Sequence, residues 1–169
     1  MSRGLVEDEG LLLDLLNSTP VVEGRRQDHL ADDDAARGWL RERGGPGDAA
    51  ERDAVRHARG VLQDVVRGTS GPGAVAPLLE GVSKRPEPAA EGLHWRLAAP
   101  ESQVLVARAV LAWAELRSAL PGRLRPCGND ECRLFFVDRS RAGTGRWCSM
   151  AVCGNRMKAR RHQARTASS

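Results

Sequence analysis

The sequence predicts an α+β fold that is mainly α: a helical N-terminal domain with a small β-element, joined to a compact cysteine-rich module. Three observations carry this. Apolar residues recur at helical spacing across residues 48–67, and residues 101–120 are apolar almost all round. Leu93, Trp95 and Leu97 alternate with His94 and Arg96, the period of a half-buried strand. All four cysteines fall late in the chain, in the order Cys127-x4-Cys132-x15-Cys148-x4-Cys153.

Taken in order, Leu11 to Leu16 forms a short helix or strand that stops at the breaker Asn17-Ser18-Thr19-Pro20. Residues 20–31 are polar and read as loop. Asp32, Asp33 or Asp34 caps a helix carrying Ala36, Trp39 and Leu40, which ends at Gly44-Gly45-Pro46-Gly47. Asp48 caps the next helix. Its Ala54, Val55, Ala58, Val61, Leu62, Val65 and Val66 form an apolar stripe, with Arg52, Arg56, Arg59 and Arg67 off it. Gly60 weakens this helix by about 1 kcal/mol relative to Ala, which burial of the stripe outweighs. A further helix runs through Leu78, Leu79 and Val82 with Pro77 in its first turn. The Leu93–Leu97 strand takes its partner from residues 84–90 or from the N-terminal segment. Residues 101–120 are apolar almost all round, as expected of a helix at the centre of a fold. Pro121-Gly122 closes this domain, placed at residues 1–120.

The charge is divided unevenly. Residues 1–120 carry 15 basic and 19 acidic side chains, whereas residues 121–169 carry 11 basic and 3 acidic ones. A reversal of this kind points to a nucleic-acid partner for the basic part, although a solvated basic face has the same composition. No run approaches the roughly 18 apolar residues of a membrane span. Acidic Glu7, Asp8 and Glu9 ahead of Leu11 are the wrong flank for a secretory signal. The expected location is therefore the cytoplasm, where thiols stay reduced and hold metal in preference to forming disulfides.

Four thiolates in two pairs suit zinc, and Cys127, Cys132, Cys148 and Cys153 are its expected ligands. A redox disulfide pair or buried free thiols are the other readings of the same residues. A catalytic zinc requires an open position, which four thiolates do not leave. Gly128 and Asn129 are expected to supply left-handed backbone at the first knuckle. Leu134 to Val137 reads as a strand, Asp138 to Gly145 as a polar turn, and Trp147 packs over the site. Ser149 caps a helix that brings Cys153 into its first turn. Knuckle, hairpin and helix together make a treble-clef-like layout over residues 123–165, followed by a disordered tail at 166–169. The helix that follows presents Arg156 and Arg160 on one flank and Lys158, Arg161 and Arg165 on the other, suited to phosphates along a groove. Arg139, Arg141 and Arg146 add backbone contacts. Asn155 is expected to hydrogen-bond the knuckle backbone.

The run Trp147-Cys148-Ser149-Met150-Ala151-Val152-Cys153-Gly154-Asn155-Arg156-Met157-Lys158-Ala159-Arg160-Arg161-His162 resembles the CGNR-type zinc finger of bacterial proteins. Cys127-x4-Cys132, Phe136-x-Asp138-x-Ser140 and Arg146-Trp147 fit the same pattern. That family usually carries an N-terminal domain named ABATE, whose opening is similar to Leu13-Asp14-x-x-Asn17-Ser18 here. The family tends to show an aromatic, a β-branched residue and Thr where this chain has Leu15, Leu16 and Ser18. The resemblance implies a stress-linked bacterial transcription regulator.

Together these readings predict stoichiometric binding of double-stranded DNA by a zinc-dependent regulator and no enzymatic activity. The N-terminal domain serves for sensing or for homodimerisation. Asp14 and Asn17 are its candidate pocket residues for a small-molecule effector. An RNA- or protein-binding zinc module is the alternative.

Overall fold

The computed structural model describes residues 3–167, and the side chains of residues 8–166. The helices are α1 (Arg3–Leu16), α2 (Asp33–Glu42), α3 (Ala49–Arg67), α4 (Val104–Ala119) and α5 (Asn155–Ala167). Three two-stranded antiparallel hairpins accompany them. They are β1 (Val21–Val22) with β2 (Arg25–Arg26), β3 (Ser83–Ala89) with β4 (Gly92–Ala98), and β5 (Leu124–Pro126) with β6 (Phe135–Val137). The fold is thus mainly α with small β-elements, and no described helix is long and apolar enough to cross a membrane.

The expectation of a central apolar helix is met by α4. It buries Leu105, Val106, Val110, Trp113 and Leu116 among α1, α3 and a 3₁₀ segment at Pro72–Leu79. Each such side chain stabilises the fold by roughly 1.5–3 kcal/mol. The Leu11 run is helical and extends α1 back to Arg3, with Leu11, Leu12, Leu15 and Leu16 all buried. Asp32 caps α2 by accepting from the Asp34 and Ala35 amides, and Asp48 caps α3 by accepting from Glu51. Gly68 ends α3 in the left-handed conformation that a residue without Cβ adopts freely.

Several expectations are corrected. Residues 20–31 are not all loop, because Glu23 and Gly24 turn the chain with positive φ into the β1–β2 hairpin. The segment through Leu78 is a 3₁₀ helix that stops at Leu79. Pro77 lies inside it, not in its first turn, and has no amide to continue an α-helical ladder. The partner of the Leu93 strand is β3, but the strand is not half-buried: Leu93 is 65% and Trp95 63% exposed. Arg59, placed off the stripe of α3 by periodicity, is buried. Its guanidinium binds Asp28 at 2.6 and 2.8 Å and the Ser18 hydroxyl at 3.0 Å. One turn later Gln63 donates to the Leu16 carbonyl at 2.8 Å and to Thr19 at 3.0 Å. Gln63, together with the Ser18 hydroxyl on the Leu15 carbonyl, satisfies carbonyls at the C-terminal end of α1 that the core would otherwise leave unpaired.

The cysteine-rich module is not a separate bead. Phe135 of β6 is 2% exposed and belongs to the same hydrophobic core as α1 and α3, with Leu124 and Val137 packed against it. Arg67 at the end of α3 lies over the Phe135 ring, 4.6 Å from its centroid. The helix α5 carries through Ala167, so Thr166 and Ala167 are helical; the rest of the tail expected at 166–169, Ser168 and Ser169, lies outside the described residues.

Candidate metal centre and nucleic-acid interface

The β5–β6 hairpin places Cys127 and Cys132 around its turn, where the Cys127 amide donates to the Leu134 carbonyl at 2.8 Å. Cys148 precedes, and Cys153 lies within, a π-helical turn at Met150–Gly154, capped by Ser149, whose hydroxyl accepts from the Val152 amide at 3.3 Å. This turn runs directly into α5. The four sulfurs converge within 4.8 Å of one another. Cys132 and Cys148 lie 3.7 Å apart, as do Cys148 and Cys153. Tetrahedral zinc with bonds of about 2.3 Å sets its sulfurs about 3.8 Å apart, so the donor set fits zinc in chemistry and in spacing.

Electrostatics agree. Burial pushes the Cys132 thiol up to about 11 and also raises Cys148. Burial acts on Cys153 too, but hydrogen bonds from Asn129 and from the other thiols bring it below the ordinary thiol value. A divalent cation at the centre reverses the penalty on the remaining thiols by binding them as thiolates.

The surroundings hold this geometry. Asn129 is fully buried; its Nδ2 donates to Cys153 Sγ at 3.6 Å and its Oδ1 accepts from the Glu131 amide at 3.3 Å. The Cys148 amide donates to Cys127 Sγ at 3.5 Å. Trp147 lies between Gly128 and Gly154, the neighbours of Cys127 and Cys153. Gly128 is needed for close approach, not for left-handed backbone: a Cβ there would stand 3.0 Å from the Arg146 carbonyl and 3.3 Å from the Trp147 ring. Neither Gly128 nor Asn129 has a positive φ, which corrects the expectation for the knuckle. Asn155 does not reach the knuckle either. It is exposed and donates to the Ala151 carbonyl one turn back, while Asn129 fills the supporting role.

The polar turn after β6 is organised by Asp138, which is 4% exposed. Its carboxylate accepts from the Ser140 amide at 3.0 Å and the Gly145 amide at 2.9 Å. The Ser140 hydroxyl, ahead of these two amides and the Arg123 charge, holds its carboxyl below the ordinary range despite burial. Arg123 and Arg125 spend their donors on carbonyls of the same turn, namely Ser140, Gly143 and Gly145.

The basic residues divide by what they touch. Arg156, Lys158, Arg160, Arg161 and Arg165 are all exposed on α5, and Arg160 pairs with Glu131 of the knuckle. Arg139 pairs with Glu9 of α1, Arg146 lies over the Trp147 ring at 5.2 Å, and Arg141 is exposed. Asp14 and Asn17 are not brought together into one pocket. Asp14 lines an open cleft with Arg43 and Arg108 and pairs with Arg43 at 2.7 Å, whereas both polar atoms of Asn17 bind the Phe135 backbone. Sequence reasoning gave no binding role to Arg26 or Arg133, which the fold brings to one cleft at the junction of the two parts.

Residues 9–124 match the family model ABATE, described as "Putative stress-induced transcription regulator", and residues 123–166 match the CGNR zinc finger model. No curated protein matches the chain.

Proposed function

Because this chain belongs to the ABATE family and ends in a CGNR zinc finger, we propose that it is a zinc-dependent regulator that binds double-stranded DNA through the finger. Cys127, Cys132, Cys148 and Cys153 hold the zinc, whose contribution is structural: it ties the β5–β6 knuckle to the start of α5. The N-terminal domain senses a signal or joins two copies. The work of the protein is binding, in the cytoplasm, and involves no catalytic step.

The observation that carries this reading is α5. It projects from the metal centre with all five of its cationic side chains exposed and no acidic residue along its length. Arg156, Lys158, Arg161 and Arg165 neutralise phosphates, Arg160 joins them by exchanging Glu131 for phosphate, and Arg139, Arg141 and Arg146 add backbone contacts. An arginine fork also reads guanine edges. Duplex DNA is favoured over single strands because the finger offers few rings for stacking: Phe135 is buried and Trp147 is held between two glycines.

The β3–β4 hairpin supports a homodimer. Pro86 and Pro88 have no amide hydrogen, so in the regular β3–β4 register they occupy outward-facing positions and blunt the β3 edge. The residues opposite them, Trp95 and Leu93, leave their own amides and carbonyls outward on β4, which no other described strand pairs. The β4 run Leu93-His94-Trp95-Arg96-Leu97 is near-palindromic. A second copy paired antiparallel about Trp95 sets Trp95 against Trp95 and Leu93 against Leu97, covering side chains that one copy leaves exposed.

The test is recovery and sequencing of genomic fragments bound by the zinc-loaded protein, with Cys148→Ala in parallel. A shared motif recovered by the wild type alone is the expected result. Equal, featureless recovery by both proteins would leave only charge-driven binding and remove the regulator reading.

A further inference from the structure

Between the N-terminal domain and the zinc knuckle lies a cleft of about 560 Å³. Arg26 of the β1–β2 hairpin lines one wall; Asp130, Glu131, Arg133 and Arg156 line the other. Arg67, at the end of α3, does not line it; its guanidinium lies over the Phe135 ring, near enough for its charge to be felt. Burial lowers the Arg67 pKa, and the neighbouring charges of Arg133 and Arg26 lower it further, against a favourable effect of Asp64. Three guanidiniums are therefore held within electrostatic reach of one another.

Their donors are not spent. Among the described residues no carboxylate forms an ion pair with Arg26, Arg67 or Arg133. The Nε of Arg133 is buried and has no hydrogen-bond partner there. A buried guanidinium nitrogen without an acceptor is uncommon in a folded protein and points to a missing group. The acids on the cleft do not supply it: Glu131 is taken by Arg160, while Asp130 and Glu23 are exposed and pair with none of the three.

We propose that this cleft is an oxyanion site of the phosphate class, with Arg26 and Arg133 as its donors and the Arg67 guanidinium adding positive charge behind them. The planar guanidinium fork matches phosphate oxygens, and several forks on one anion neutralise both the ligand and their own repulsion. The anion connects elements from both parts of the chain, since Arg26 belongs to the N-terminal domain and Arg133 to the knuckle. Arg156 on the same wall heads α5. An occupied cleft thus bears on the helix that carries the DNA contacts, a consequence that rests on the DNA-binding reading, whereas the anion site itself does not.

The test uses the full zinc-loaded chain and inorganic phosphate, titrated calorimetrically at fixed pH and ionic strength without DNA. The wild type is expected to bind saturably. Arg133→Met and Arg26→Met each remove one charge-assisted contact and are expected to weaken binding by about tenfold or more. Arg37→Met, on the distant exposed face of α2, is expected to bind as the wild type does. If Arg133→Met melts early in chloride, Arg26→Met, on an exposed strand, carries the comparison alone. Absence of saturable binding, or equal binding by all variants, would overturn the site. Adding a short duplex then identifies the source. Displacement of phosphate by DNA assigns the cleft to a backbone phosphate; retention assigns it to a free phosphate-bearing molecule. Both keep the oxyanion chemistry. Because phosphate is read without DNA, failure of the DNA-binding reading leaves this result interpretable.

Discussion

Asn17 and Phe135, 118 residues apart, exchange two hydrogen bonds: Asn17 Nδ2 donates to the Phe135 carbonyl at 3.1 Å, and the Phe135 amide donates to Asn17 Oδ1 at 2.7 Å. A single side chain at the end of α1 thereby acts as a strand partner for β6. It docks the zinc module on the helical core while the Phe135 ring fills that core. Asn17→Ala leaves both backbone groups of Phe135 without partners, so it is expected to cost about 2–4 kcal/mol in urea unfolding of the zinc-loaded protein. Zinc content should be unchanged. A loss below about 0.5 kcal/mol would show that the pairing does not hold the two parts together.

Removal of the metal is expected to destabilise more than the finger. The wild type should carry one zinc per chain, and Cys148→Ser or a strong chelator should release it, measured by thiol titration and metal analysis. A structural zinc contributes on the order of 10–16 kcal/mol of apparent binding free energy. Because β6 supplies Phe135 to the main core, the melting temperature of the N-terminal helices should fall as well. An unchanged circular-dichroism melt after complete zinc loss would separate the two parts energetically.

Glu51 gives a pH dependence with a definite sign. It is fully buried beneath the Gly44–Gly47 turn; Oε2 accepts from the Gly47 amide at 2.8 Å and Oε1 has no partner among the described residues. Burial raises its pKa, with Asp48 and Glu101 adding to the shift and the Gly47 bond opposing it. The unfolded chain releases this proton near the ordinary Glu value of about 4.3, before the folded chain does. Stability from this group is therefore greatest in acid and declines as pH rises above that value toward the raised folded pKa. Glu51→Gln keeps an acceptor for Gly47 and is expected to be at least as stable as the wild type at pH 8, with a flatter profile. A variant that loses stability equally at every pH would show that the carboxylate ionises there without penalty.

Lys158→Ala and Arg161→Ala are each expected to reduce the slope of log K against log salt by about one, from a starting value of roughly −4 to −5. Circular dichroism should not change, since both side chains are exposed. Arg125→Ala offers the contrast: it should destabilise the finger, because its guanidinium binds the Gly143 and Gly145 carbonyls. Slopes unaltered by Lys158→Ala and Arg161→Ala would exclude α5 as the phosphate-contacting element.

Trp95→Asp is expected to convert a wild-type dimer to monomers in sedimentation equilibrium without lowering zinc content. Fluorescence should show the wild-type Trp95 less solvated than the 63% exposure it has in one copy. A monomeric wild type throughout the micromolar range would remove the β4-edge dimer.

What the sequence by itself determined is local. Aspartates before apolar periodicity placed the caps of α2 and α3, the unbroken apolar surface of α4 marked the centre of the fold, and paired cysteines marked the metal site. Each of these is decided by interactions a few residues apart or by composition along one element. The tertiary structure alone decided which polar groups are spent and which remain. Asn17 goes to Phe135 and not to a pocket, Arg59 is buried on Asp28, Asn129 and not Asn155 supports Cys153, and Arg26 and Arg133 meet at a cleft. A polar side chain carries no periodic signature of its partner, because that partner is selected by whichever backbone group or charge the packed core leaves unsatisfied. The exposed Trp95 strand shows the same limit: alternation reports that a face is apolar, and only the assembled fold shows whether anything covers it.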